Sequence, residues 1–60
     1  MDIVINILKE STYCLDIKQH FQQGIYNLEE SITELLDFLD VFRQEPHSVK
    51  NDAIITFLKE

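Results

Sequence analysis

The nine residues Gln22-Gln23-Gly24-Ile25-Tyr26-Asn27-Leu28-Glu29-Glu30 decide the fold. They contain the chain's one glycine, and they separate two long stretches of helical periodicity. Gly24 suits the position just past a helix C-terminus, where a left-handed backbone costs glycine nothing. Asn27 and Glu30 then have the N-x-x-E spacing of a helix start, a variant of the capping box. Read this way, the chain breaks at 23–27 and folds back on itself.

The competing reading ignores the break. Val4, Ile7, Cys14, Phe21, Ile25, Leu28, Ile32, Leu35, Leu39 and Phe42 fit a 3-4 heptad spacing straight through Gly24, with Ser11 and Lys18 as polar exceptions. A glycine inside a helix costs only about 1 kcal/mol. The alternative is therefore one long helix over 2–44 that pairs as a coiled coil. The wide apolar arcs and the Gly24–Asn27 signals favour the hairpin.

Working outward, the segment after the break is the strongest helix. Over 28–44, Leu28, Ile32, Leu35, Leu36, Phe38, Leu39 and Phe42 cover an arc of roughly 160° at 100° per residue. Glu29, Glu30, Glu34, Asp37 and Asp40 occupy the other side. Pro46 is expected to end this helix, because proline pushes the residue before it out of the α region. Before the break, Asp2 can cap a helix over 2–22. Its apolar side carries Ile3, Val4, Ile7, Leu8, Cys14, Leu15, Ile17 and Phe21. Ile3, Ile5 and Ile7 also alternate like a strand, but no second strand-like run exists to pair with them. After Pro46, Ser48 reads as an N-cap for a third helix over 48–59, with Asp52 in its first turns and Val49, Ala53, Ile54, Phe57 and Leu58 as its apolar stripe.

The expectation is an all-α single domain over 1–60, a small bundle of two to three helices. A chain of sixty residues buries only about 60% of the surface its unfolded form exposes. A scaffold this small needs a disulfide, a metal or a partner copy. Cys14 is the only cysteine, so no disulfide forms within the chain, and dimerisation is expected to complete the core. A lone thiol suits a reducing compartment, which points to the cytoplasm. Cys14 is read as a small buried hydrophobe rather than as a bridge between chains. No apolar run reaches the length of a membrane span, and the N-terminus lacks the basic region of a signal peptide.

Charge narrows the function classes. The net charge is −6, with eleven acids against five bases. Direct binding to nucleic acid or anionic lipid is disfavoured. Residues 27–45 hold six acids and one base, Arg43, so nearly all of the net charge lies on one element. Nothing in the sequence carries catalysis. Ser11, Ser31 and Ser48 lack a glycine-flanked nucleophile turn, and one glycine cannot build a phosphate loop. Asp16 and His20 are four apart, but with His47 distant they supply too few ligands for zinc. No cofactor, metal or enzymatic activity is expected.

What remains is a protein-binding role. The expected function is a small acidic regulator of the inhibitor, anti-repressor or adaptor type, acting through helix–helix contacts with a protein partner and forming a homodimer. By analogy, such chains suit bacteria and phages. The alternatives are a DNA mimic or antitoxin-like neutraliser of a basic protein, and a self-assembly module. The candidate partner-binding residues are Tyr26, Phe38 and Phe42 as aromatic anchors, with Glu30, Glu34 and Asp37 as an acidic strip. Ile5, Tyr13 and Val41 share the edges of the apolar stripes.

Overall fold

A computed structural model of the chain describes residues 3–41 and 45–60. Four helices follow one another: α1 (Ile3–Glu10), α2 (Thr12–Gln22), α3 (Leu28–Leu39) and α4 (His47–Lys59). The all-helical expectation holds, and no strand occurs among the described residues. The number and limits of the helices differ from expectation, and each difference has a physical cause. The expected cap at Asp2 and the anchor Phe42 lie outside the described residues.

The expected helix over 2–22 is two helices. They meet at Ser11, which is extended (φ −92°, ψ 122°) and caps α2 by accepting a hydrogen bond from the Cys14 N–H at 3.3 Å. The reason is the direction of the two apolar faces. At 100° per residue, an unbroken helix would point the buried pair Val4 and Leu8 roughly 130° away from the buried pair Cys14 and Ile17. The single non-helical residue turns both pairs toward one core.

The break at 23–27 is confirmed, which removes the long 2–44 helix. Gly24 has φ 82° and follows the C-cap Gln23. Its N–H donates to the Phe21 carbonyl at 3.1 Å, and the Ile25 N–H donates to the His20 carbonyl at 2.9 Å, the double closure of a Schellman motif. Asn27 then starts α3 with a complete capping box. Its Oδ1 accepts from the Glu30 N–H at 2.7 Å, and its own N–H donates to Glu30 Oε1 at 3.3 Å.

Helix α3 stops at Leu39 rather than near 44. No proline sits there. The last turn instead holds Asp37 with Asp40 as C-cap and no basic residue. Negative charge at this end opposes the helix dipole. Pro46 therefore does not terminate α3. It is the cap residue of α4, with φ −63° and a carbonyl that accepts from the Lys50 N–H at 3.1 Å. Proline's fixed φ suits a helix start, so the expected cap at Ser48 falls inside α4.

Helix α4 packs against each of the other three. The core gathers Val4 and Leu8 of α1, Cys14 and Ile17 of α2, Leu35 and Leu39 of α3, and Ala53, Ile54, Phe57 and Leu58 of α4. The radius of gyration, 10.4 Å, is what a compact chain of this length has, about 10 Å. One copy therefore encloses a core by itself. Ile3, Leu15, Leu28 and Val49, all assigned to apolar stripes above, are exposed.

Two polar residues enter the interior. The Ser31 hydroxyl donates to the Asn27 carbonyl at 2.9 Å, so its burial is satisfied within α3. Lys50 is 3% exposed. No buried side-chain nitrogen or oxygen among the described residues lacks a hydrogen-bond partner.

Candidate protein-binding face on α3

The residues of α3 that do not face the core lie along one outward strip. Leu35, Leu39 and Ser31 point inward. Glu30, Glu34 and Phe38 follow at intervals of four, with Thr33 and Asp37 beside them, on an arc roughly 130° from the buried one. Glu30, Thr33, Glu34 and Asp37 are exposed, and Phe38 is half-buried.

The seam with α2 adds to this strip. Tyr13 of α2 lies against Phe38 with ring centroids 5.6 Å apart, and its hydroxyl donates to Glu34 Oε1 at 2.8 Å. Tyr13 remains 47% exposed, so the aromatic pair presents a flank to solvent. The hydrogen bond to Glu34, with a smaller contribution from desolvation, raises the Tyr13 phenol above its ordinary value. Val41, just past the end of α3, is 73% exposed.

At the other end of the strip, Tyr26, Glu29, Glu30, Thr33 and Glu34 line an open recess of about 330 Å³. The α2–α3 turn sets Tyr26 there, and the His20 ring lies against it at a tilt, with 5.3 Å between centroids. Three carboxylates and one phenol ring thus converge on a single depression. The one ion pair among the described residues joins Lys9 to Glu60 at 3.3 Å, away from α3. None of the described cations forms an ion pair with the strip.

Of the sequence candidates, Glu30, Glu34, Tyr26 and Phe38 fall on this face or its rim, and Asp37 lies beside them. Glu30 and Glu34 also hold structural bonds, one in the capping box and one to Tyr13. Tyr13, Glu29 and Thr33 were not among the candidates. Tyr13 sits 21 residues from Glu34 in the chain, and only the α2–α3 hairpin brings them together. Its signal in the sequence was a tyrosine at the edge of the first apolar stripe. Asp16 and His20 gain no further ligand, and no group of three or more His, Cys, Asp or Glu among the described residues could hold a metal. Cys14 is fully buried, and burial raises its thiol, partly offset by a hydrogen bond with Ser11. Among the described residues, no helix is long and apolar enough to cross a membrane.

No family model, curated protein or solved structure matches the chain.

Proposed function

We propose that this chain is a small acidic regulator of the inhibitor, anti-repressor or adaptor type, which binds a protein partner and catalyses nothing itself. The binding element is the outward strip of α3 with the Tyr13–Phe38 pair. One observation carries this reading: two aromatic rings, packed against each other at a tilt, stand partly in solvent beside a carboxylate-lined recess. Partly exposed aromatics at the edge of a well-packed element are favoured anchors of protein interfaces. A cytoplasmic setting belongs to the proposal and rests on the single cysteine.

Self-association is also proposed. It is supported by Ile3, Leu15, Ile25, Leu28 and Val49, which leave apolar surface uncovered on the single copy. Light scattering at high concentration checks it; a mass that stays at 7.1 kDa would exclude the homodimer.

The partner-binding reading is tested by affinity capture with the full chain and mass-spectrometric identification, followed by two variants with unchanged circular dichroism. Phe38→Ala should weaken capture more than Glu30→Gln, Glu34→Gln and Asp37→Asn combined, since desolvated aromatics usually dominate and wet charges contribute little each. Full binding by both variants would remove α3 as the binding element.

A further inference from the structure

The strip on α3 is not uniform along its length, and the order of its parts identifies the kind of partner it fits. Its N-terminal half is the recess, where Glu29, Glu30 and Glu34 surround Tyr26 and Thr33. Its C-terminal half is aromatic, where Phe38 lies against Tyr13. Glu30 at one end and Phe38 at the other are eight residues apart on one side of the helix, about 12 Å along the axis, and Glu34, which lines the recess and accepts from Tyr13, joins the two halves. No cation among the described residues is ion-paired with these carboxylates.

We infer that this face docks a basic amphipathic helix of a partner protein, which seats a lysine or arginine in the recess and an apolar side chain on the Tyr13–Phe38 pair. The inference rests on the reading of α3 as the binding element and adds the chemistry and spacing of the partner. Charge complementarity selects the occupant. An anionic segment would meet three carboxylates and be repelled. A purely apolar one would strand those carboxylates against it without counter-charge, which costs more than leaving them in water. A lysine or arginine head in the recess meets the carboxylates beside Tyr26, and an aromatic ring next to a cation adds to the attraction where its face is reached. Helix-in-groove recognition reads anchors one and two turns apart, which matches a separation of about 12 Å.

The probe is a pair of synthetic helical peptides of about 18 residues, or five turns, with identical composition. The first carries two lysines on one turn and two leucines about two turns further along the same face. The second carries the same leucines on the opposite face. Each is titrated into the isotopically labelled full chain and followed by amide chemical shifts. The first peptide should bind about tenfold more tightly than the second, as aligned charge and apolar contacts allow. Shifts should centre on Tyr13, Tyr26, Thr33, Glu34 and Phe38. Binding should weaken several-fold between about 50 and 300 mM salt, as exposed charges are screened.

The variant carrying Glu30→Gln and Glu34→Gln should lose about tenfold of that affinity. It keeps its circular dichroism, because glutamine still accepts the capping-box and Tyr13 hydrogen bonds. Equal affinity for the two peptides, or shifts centred away from α3, overturns the inference. A captured natural partner separates the two levels of the argument. A partner that contacts α3 through a segment without basic residues overturns this inference and leaves the proposed function standing. A partner that maps elsewhere overturns both.

Discussion

Helix α2 is bounded by two joints that do the same job in opposite ways. At 23–27 the chain uses five residues, a glycine at φ 82°, two turn-closing backbone bonds and a reciprocal capping box. At Ser11 it uses one residue and a single side-chain bond to the Cys14 N–H. The first joint is built from local chemistry and would favour a turn in any surroundings. The second is required by the core, because only a break there lets Val4 and Leu8 share an interior with Cys14 and Ile17. A helix boundary can thus be set by what the chain does to itself, or by what the rest of the molecule does to the chain.

The comparison breaks most sharply in the core that both joints serve. Leu35→Ala and Leu8→Ala each truncate a leucine with no exposed surface, and each should cost about 2–5 kcal/mol. That equals all the stability expected of a scaffold this small, about 3–5 kcal/mol. Leu35→Ala should abolish the cooperative thermal transition. Leu8→Ala should also release α1, read as faster amide exchange over 3–10 than over 28–39. Equal protection of the two segments in Leu8→Ala would mean that α1 does not depend on its core contact.

The next effect isolates the local joint. A methyl group at Gly24 meets nothing within 4 Å, so Gly24→Ala is a test of backbone conformation alone. It should destabilise by about 1–2 kcal/mol, the cost of a left-handed backbone for a residue with a Cβ. An unchanged urea midpoint would show that the turn relaxes freely.

Ser11→Ala should cost about 1 kcal/mol, the usual loss for an N-cap hydroxyl, while Ser11→Asp should retain most of the stability because aspartate caps equally well. If Ser11→Ala raised helicity by circular dichroism without loss of stability, the core would not need the break.

The smallest effect concerns the seam between α2 and α3. The folded Tyr13 phenol is raised by its hydrogen bond to Glu34. Its contribution is present below the unfolded phenol value, about 10, and is lost as pH rises through the higher folded value. In Tyr13→Phe the fall in stability above about pH 10 should be shallower than in the parent chain. Denaturant titrations at several alkaline pH values measure it.

The two joints also mark what could be read from the sequence. The break at 23–27 was legible because Gly24, Asn27 and Glu30 carry their own signals at fixed spacing. The break at Ser11 was not, because a serine at one position of an otherwise apolar heptad series reads equally as a tolerated exception in a helix. Its meaning lies in the facing of α1 and α2, which only the assembled core supplies. The early end of α3 belongs to the same class: Asp37 and Asp40 look like part of an acidic face until their place at the helix terminus is known. Burial followed suit. Leu35 and Leu39 were identified by periodicity, whereas Leu28 lies in the first turn of α3 beside the joint and is 40% exposed. For the binding face, the acidic residues were legible as a run on one element. The Tyr13–Glu34 bond was not, since it depends on how the hairpin closes.

Cys14 lies where the Ser11 joint meets the core, with its N–H held by Ser11 and its side chain fully buried. The chain therefore carries its own clock. A thiol reagent reaches the sulfur only when this region opens, so the labelling rate of the unmodified protein reports how often that happens. The dependence of that rate on denaturant then distinguishes a swing of α1 alone, which exposes little surface and gives a shallow slope, from unfolding of the whole chain, which gives a steep one.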